Sequence, residues 1–143
     1  MTLQIRKTLS LEEVEAAIAL RTEVFVEEQG VPLEEELDGL DPQAIHVIVL
    51  SDDRVVATCR LVSDGRLVKL GRMVVAADFR GRGIATRLLA FCDQEAAALG
   101  ATEVRLAAQC YVIALYEKSG YIAYGEVFPD AGIDHRWMSK QIA

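Results

Sequence analysis

Residues 70–87 read LGRMVVAADFRGRGIATR, and this stretch decides the fold. It begins with an apolar run, Met73-Val74-Val75, which is typical of a strand covered on both faces. It continues through Arg80-Gly81-Arg82-Gly83 and enters a segment whose apolar residues have helical spacing. The stretch therefore predicts a buried strand, a glycine-rich loop and the first turn of a helix, in that order.

The loop and the helix start have the composition of an anion-binding site. The first N–H groups of a helix have no partners within it and carry partial positive charge, and glycines let the backbone approach an anion closely. Arg80 and Arg82 add full charges. No Gly-Lys-Ser/Thr follows, and the Gly-x-Gly-x-x-Gly of dinucleotide-binding proteins is incomplete, so neither of those nucleotide sites is predicted. The alternative is an ordinary glycine-containing turn.

Two longer helices are predicted, one near the start of the chain and one directly after the glycine-rich loop. Ser10 and Glu13 form a capping box at the start of a helix over residues 11–28. The second helix follows the loop and stops at Gly100. The residues expected on the buried faces are Leu11, Val14, Ile18, Arg21 and Phe25 in the first helix, and Leu88, Leu89, Cys92, Ala96 and Leu99 in the second.

The strands complete a mixed α/β sheet. A short first strand contains Leu3 and Ile5, and a hairpin with its turn at residues 51–54 joins strands near 45–50 and 55–62. Further strands are expected at 67–75 and 104–108, followed by a short helix that ends at Gly120 and by closing strands at 121–127 and 135–142. A chain of 143 residues predicts one domain, 1–143.

Composition excludes several classes of protein. A net charge of −7 argues against nucleic acid as a partner, since phosphate neutralisation needs a basic surface. No apolar run is long enough to span a bilayer. The charge is also divided, because residues 12–41 hold eleven acids and one base, whereas residues 54–87 hold eight bases and two acids. Charge runs of this kind are commonly solvated faces, and a functional division is the alternative.

The cysteines indicate a reducing compartment. Cys59, Cys92 and Cys110 are an odd number without the spacing of a zinc site, and no signal peptide precedes the first strand. We therefore expect a cytoplasmic protein with buried thiols and no metal.

The motifs resemble those of the GNAT (Gcn5-related) N-acetyltransferase superfamily. Arg80-x-x-Gly83-x-Ala85 after the strand at 70–75 is similar to its acetyl-CoA motif, and Leu115-Tyr116-Glu117-Lys118-x-Gly120-Tyr121 is similar to its second motif. The stretch at 21–32 resembles the ElaA/YjcF-like branch. The resemblance implies an α+β domain with a mixed, mostly antiparallel twisted sheet of six to seven strands, about four helices and a splayed strand pair that holds CoA.

The resemblance also implies residues for the acyl donor, acetyl-CoA. Backbone groups of Met73, Val74 and Val75 would pair with the pantetheine arm, and the backbone amides of the loop would hold the pyrophosphate. Gln109 stands where many members carry Asn for the pantetheine, and Val112 replaces the usual Ala. The residues expected to bind the cofactor are Met73, Val74, Val75, Arg80, Gly81, Arg82, Gly83, Ile84, Ala85, Thr86 and Gln109.

We also expect a proton donor and a general base among the side chains of the site. Tyr116 matches the tyrosine proposed in the family to protonate the leaving thiolate, and a core tyrosine with a satisfied hydroxyl is the alternative. Many relatives place a glutamate on the strand before the loop as base, but residues 70–75 contain no carboxylate. Glu28 or His46 is the expected base, and Glu35, Asp38 and His135 are further candidates.

Three arginines lie in otherwise apolar patterns, namely Arg21, Arg60 and Arg72. An unpaired charge would be costly there, so each is expected to meet a carboxylate, with Glu28 and Asp38 as candidates, or an anion of the acceptor.

The expected function is acetyl transfer to a primary amine by direct attack in a ternary complex, without a cysteine intermediate. The acceptor is expected to be a small molecule or a peptide, and a homodimer through the late strands is an expectation. A non-catalytic acyl-CoA-binding or regulatory module on the same fold is the alternative, and a plain interaction protein is a third.

Overall fold

The computed structural model describes residues 2–143, which form seven strands and four α-helices. The strands are β1 (Leu3–Lys7), β2 (Ile45–Ser51), β3 (Arg54–Asp64), β4 (Leu67–Val75), β5 (Glu103–Gln109), β6 (Ile122–Asp130) and β7 (Ile133–Gln141). The α-helices are α1 (Leu11–Arg21), α2 (Leu33–Glu36), α3 (Ile84–Ala98) and α4 (Ile113–Lys118). The predicted order of the seven strands and of α1, α3 and α4 is confirmed, and β3, β6 and β7 are longer than predicted.

All seven strands join one sheet in the order β1-β2-β3-β4-β5-β7-β6. Every neighbouring pair is antiparallel except β4 and β5, which are parallel, so the predicted mixed and mostly antiparallel sheet is confirmed. The parallel pair is connected through α3, a helical crossover of the kind that parallel strands require.

Helices cover both faces of the sheet. On β2, Val47 and Val49 belong to the main core with the buried residues of α3, whereas Ile48 packs with Ala17 of α1. Side chains alternate between the faces of a strand, so α1 and α3 lie on opposite sides. No helix among residues 2–143 has both the length and the apolar character needed to cross a bilayer.

The helix predicted over residues 11–28 is present, but it is an α-helix in its first part and a π-helix in its second. The Ser10 side chain accepts a hydrogen bond from the Glu13 N–H (3.3 Å), as the capping box predicts. After Arg21 the chain continues as a π-helix over Thr22–Glu28. The predicted buried face is wrong in detail, because Leu11 is 70% exposed and Ala17 is fully buried. The small side chain of Ala17 lets α1 lie close to the sheet. The prediction had placed larger apolar residues on the buried face instead.

The buried face of α3 is largely as predicted. Leu88, Leu89, Cys92 and Ala96 are fully buried. Leu99 is an error of the prediction, since it is 45% exposed. It ends the helix immediately before Gly100, which has a positive φ of 83°, so the chain turns away from the sheet at this point.

Candidate active site

A large cleft opens where β4 and β5 separate. The two strands pair only between Leu67–Lys69 and Glu103–Arg105, and their later residues diverge. The resulting cleft has a volume of about 1090 Å³ and is walled by the second half of β4, the end of β5, the start of α3 and α4. This divergence is the splayed strand pair that the sequence resemblance implied.

A β-bulge lies on β4 where the strands separate. Thr58 pairs with Val74 and Arg60 pairs with Gly71, so β4 carries one more residue than β3 across this interval. Arg72 within the bulge has a φ of 53°, in the left-handed region that non-glycine residues seldom occupy. At the bulge the Arg72 side chain meets Glu36 of α2 and Asp38 of the segment after it.

The loop after β4 leaves the N-terminus of α3 uncovered. Gly83 is the N-cap residue, its φ is 75°, and no side chain caps the helix. The N–H groups of the first turn, from Ile84 to Thr86, have no partners earlier in the helix and point towards the cleft end formed by Gly81 and Gly83. The space above both glycines is open, because a Cβ on either would meet nothing within 4 Å. The loop thus fits an anion such as a diphosphate.

The two arginines of the loop are held by local contacts. Arg80 donates through Nε to the Val75 carbonyl (2.9 Å) and through its terminal nitrogen to both Glu28 oxygens (3.0 and 3.2 Å). Arg82 donates to the Asp78 carbonyl (3.0 Å), and its guanidinium lies 4.8 Å from the centre of the Phe79 ring. Both charges are therefore fixed beside the uncovered helix start.

Gln109 spans the cleft at the end of β5. Its amide and that of Gln29 exchange hydrogen bonds of 2.9 and 3.3 Å, and Gln29 also donates to the Tyr111 hydroxyl (3.1 Å). The pair joins the end of the π-helix to the end of β5, although the two glutamines are 80 residues apart in sequence.

Tyr116 of α4 forms part of the cleft wall. The residue is 8% exposed, and its ring packs edge-on against that of Tyr121 at 6.1 Å between centroids. Burial raises the pKa of Tyr116, which keeps the phenol protonated at neutral pH. A protonated phenol in the cleft wall is able to donate a proton to a group bound there.

The structure separates the two predicted bases. Glu28 lines the cleft, but its carboxylate pairs with Arg80 in the glycine-rich loop before α3. His46 does not line the cleft; it is 4% exposed, and its Nε2 lies 3.0 Å from the Asp41 carbonyl oxygen. Of the fourteen predicted site residues, twelve line the cleft, and the other two are His46 and Arg82.

The three unusual arginines form a buried ion-pair network with α2 and the segment after it. Arg21 binds Glu36 (2.7 and 2.9 Å) and Asp41 (2.8 Å). Arg60 pairs with Asp38 and Asp41, and Arg72 pairs with Glu36 and Asp38. The predicted pairing with Asp38 is confirmed for Arg60 and Arg72, whereas Glu28 pairs instead with Arg80.

This network sets the charge state of the acidic segment. The hydrogen bond from Arg60 lowers the pKa of Asp38 to about 2. For Asp41 burial acts in the opposite direction, but the hydrogen bonds from Arg21 and Arg60 outweigh it and lower the pKa. Asp38 and Asp41 are therefore ionised at neutral pH and balance charge on the arginines that they contact.

Sequence reasoning missed Glu36 and Asp130, which line a smaller side pocket beside the cleft together with His135. Glu36 is hidden within the run Glu34-Glu35-Glu36, and only its burial distinguishes it from its neighbours. Asp130 precedes Ala131-Gly132, a turn signal that could have indicated a loop close to the site. Within residues 2–143, no three histidine, cysteine or carboxylate side chains are grouped so that they could ligate a metal ion.

Comparison with known proteins gives consistent results for sequence and structure. The family model described as an acetyltransferase (GNAT) domain matches residues 5–142. The chain is 35% identical over 130 residues to an uncharacterised N-acetyltransferase of Bacillus subtilis, YjcF, with 90% of this chain and 93% of that protein covered.

Two crystal structures are similar over nearly the whole chain. An acyl-CoA N-acyltransferase from Pseudomonas aeruginosa is 34% identical with a TM-score of 0.88, covering 97% of this chain and 99% of that one. ElaA of Escherichia coli is 25% identical, also with a TM-score of 0.88, covering 98% of this chain and all of that one.

Proposed function

We propose that this chain, which belongs to the GNAT acetyltransferase family and to its ElaA/YjcF-like branch, transfers an acetyl group from acetyl-CoA to a primary amine. One observation carries the proposal: the cleft between the diverging strands β4 and β5 leads into the glycine-capped, uncovered N-terminus of α3. A long molecule with an anionic end fits this shape, with its diphosphate at α3 and its thioester towards the β-bulge.

The acyl donor would be held mainly by backbone groups. The diverging half of β4, Met73 to Val75, has no neighbour on the β5 side, so its backbone groups are available to the amides of a pantetheine arm. The N–H groups from Arg80 to Thr86 would receive the diphosphate, with Arg80 and Arg82 adding charge. Gln109 would contact the arm from the opposite wall.

The chemical step needs two substrates held together and two proton movements. The neutral amine nitrogen attacks the thioester carbonyl, the N–C bond forms and the C–S bond breaks. The thiolate that leaves would take a proton from the Tyr116 hydroxyl. The phenol would regain that proton as the acylated nitrogen loses its own, so that an amide and free CoA result.

The assignment of Glu28 or His46 as the general base stays a prediction. The Glu28 carboxylate is already paired with Arg80, and His46 lies outside the cleft. The proton acceptor is better sought among side chains near the β-bulge whose lone pairs are not already engaged by an arginine.

Tyr116→Phe tests the chemical step. We expect a fall in kcat of about 10²-fold or more, with the Kd for acetyl-CoA unchanged, because only the proton donor is removed. CoA release with a panel of primary amines measures turnover, and calorimetry measures binding. Tyr124→Phe, on β6 and outside the cleft, is the control. Turnover of Tyr116→Phe equal to wild type would show that the phenol has no role as acid.

The anion loop is tested by Arg80→Gln and Arg82→Gln. Each should weaken CoA binding, and the difference from wild type should shrink as salt is added, because mobile ions screen exposed charges. Arg66→Gln, exposed in the turn between β3 and β4, is the control. Equal affinities at low salt would contradict a role for these arginines in binding the donor.

A non-catalytic acyl-CoA-binding or regulatory module is a second candidate function. It is favoured by one observation, the absence of a carboxylate from Leu70 to Val75 on β4, where many relatives of this family carry their base. Tight binding of acetyl-CoA and CoA without turnover of any amine in the panel would support it.

We also propose a homodimer through β6, a cytoplasmic location and one domain for the whole chain. The edge strand β6 exposes Ile122 and Val127 to solvent, which favours a partner there. Cys59 and Cys92 are free thiols 3.3 Å apart, which fits a reducing compartment. Light scattering of wild type and of Val127→Lys tests the dimer, since a charge in that strand should yield monomers.

A further inference from the structure

A small side pocket joins the main cleft at the end away from α3. It has a volume of about 70 Å³, roughly twice the share of one water molecule in the liquid. Phe25, Arg72, Gln109, Asp130 and His135 line both cavities, so the pocket opens directly into the cleft. Its position beside the β-bulge places it where the acceptor would meet the thioester.

One carboxylate oxygen in the pocket lining has no partner. Glu36 is 2% exposed, and its Oε1 accepts hydrogen bonds from Arg21 while lying 3.2 Å from Nε of Arg72. Its Oε2 is buried and accepts no hydrogen bond from any of the residues described. An unpaired buried carboxylate oxygen is costly, so a ligand group that reaches Oε2 and donates a hydrogen bond to it would stabilise the site.

The charge around the pocket selects a cation. The network of three arginines (Arg21, Arg60, Arg72) and three carboxylates (Glu36, Asp38, Asp41) has no net charge. Glu35 and Asp130 also line the pocket, and they add two negative charges. Arg72 already donates to the Glu36 carbonyl (3.0 Å) and to Asp38 (3.1 Å), so an anionic ligand would have to displace these contacts.

His135 presents a free nitrogen beside these carboxylates. Its Nδ1 lies 2.7 Å from the Ile133 carbonyl oxygen, which only accepts, so Nδ1 carries the proton and a neutral ring has its lone pair on Nε2. The ring stacks on Phe128 at 5.9 Å, which fixes its plane. The charged and titratable groups around it are Glu35 and Glu36 of α2, Arg72 of β4, Tyr111 after β5 and Asp130 of β6.

We infer that this side pocket receives the primary ammonium group of the acceptor, with Glu36 Oε2 as its hydrogen-bond acceptor and Nε2 of His135 as its proton acceptor. The inference rests on the proposed acyl transfer and names its acceptor class. The small volume admits a terminal CH₂–NH₃⁺ group and excludes branched or tertiary amines. Phe25, Val31 and Ile133 supply apolar contact for an unbranched stem.

The proton steps balance with these residues. The bound ammonium gives one proton to Nε2 of His135, and the neutral nitrogen attacks the thioester carbon. The C–S bond breaks, the thiolate takes the Tyr116 proton, and the new amide nitrogen returns a proton to Tyr116. The imidazolium then releases its proton to water, so that the products are an N-substituted acetamide, CoA and one proton.

Amine binding is tested without turnover. In the presence of CoA, calorimetry should detect propylammonium, but not tetramethylammonium or 1-propanol. Glu35→Gln and Asp130→Asn should each raise its Kd by about two- to fivefold, because each removes one nearby charge from a solvent-exposed position. Glu34→Gln, exposed on the same helix and outside the pocket, is the matched control. Unchanged affinity in both pocket variants, or equal binding of 1-propanol, would overturn the inference.

The role of His135 is tested by His135→Asn. The asparagine amide can still donate to the Ile133 carbonyl but offers no basic nitrogen, so folding is retained. We expect kcat with propylamine to fall by about 10²-fold or more and the decline of kcat below neutral pH to disappear. Glu28→Gln serves as the comparison. If Glu28→Gln loses this pH dependence and His135→Asn retains it, the proton acceptor is Glu28 and the inference is wrong.

Failure of the inference and failure of the proposed function give different results. If the wild type binds no CoA, or releases none with any amine, the acyl transfer itself is wrong. If it acetylates amines but His135→Asn and Asp130→Asn behave as wild type, only the assignment of the side pocket fails.

Discussion

Replacement of Arg21 by methionine should destabilise the protein far more than the same replacement at a surface ion pair. Arg21 is fully buried, and its guanidinium makes hydrogen bonds to Glu36 and Asp41 through three nitrogens. Methionine fills much of the same space but leaves Glu36, itself 2% exposed, with Arg72 as its remaining cationic partner.

The magnitude follows from the cost of an uncompensated buried charge. Breaking a buried pair by removing one partner costs about 3–5 kcal/mol in free energy of unfolding, against about 0–1 kcal/mol for an exposed pair. For a chain of this size, Tm changes by about 2–4 °C per kcal/mol, so Arg21→Met should lower Tm by roughly 6–20 °C.

Urea unfolding followed by circular dichroism measures the free energy directly. Arg54→Met is the matched control, because Arg54 pairs with Asp78 at 2.8 Å with more than half of each side chain exposed. The double variant Arg21→Met with Glu36→Met should be more stable than Arg21→Met alone, since it removes the unpaired charge as well. A loss below about 1 kcal/mol for Arg21→Met, equal to that of Arg54→Met, would refute the reasoning.

Three further perturbations test the loop, the network and the cleft. Gly83→Ala should cost about 1–2 kcal/mol in thermal unfolding, because an L-residue is strained at a φ of 75° even though the space is open. The hydrogen bond from Arg60 lowers the pKa of Asp38 to about 2. The ionised Asp38 therefore stabilises the fold at pH values above the pKa of an unfolded aspartate, and this stabilisation is lost as the pH falls towards 2. Asp38→Asn should flatten the loss of stability between about pH 4 and 2. Gln29→Leu removes the partner of Gln109 and should raise the KM for acetyl-CoA by about two- to tenfold, measured by CoA release.

Each of these variants has a control elsewhere in the chain. Gly71→Ala tests the glycine argument, since Gly71 also has open space and no positive φ. Asp53→Asn, exposed in the turn between β2 and β3, should leave the acid dependence of stability unchanged. Gln43→Leu, exposed and outside the cleft lining, should leave KM unchanged. A control that changes as much as its partner variant would contradict the corresponding explanation.

The elements were predictable where neighbouring residues suffice to specify them. Ser10 caps α1 and Gly100 ends α3 through contacts within a few residues, and both were read from the sequence. Which face of α1 is buried was not, because the close packing of Ala17 on Ile48 depends on a strand about 30 residues away. Leu99 was misplaced for the same reason, since helical spacing cannot show where the sheet ends.

The sequence by itself determined the glycine-rich loop, the helix that follows it and the family, because glycines, arginines and an apolar strand act through local backbone geometry and neighbouring N–H groups. Only the tertiary structure decided which charges meet. The bulge at Arg72 directs a β4 side chain onto α2, and the separation of β4 from β5 brings Glu36, Asp130 and His135 to one pocket. Coulombic and hydrogen-bonding partners depend on distances across the fold, and no sequence spacing encodes those distances.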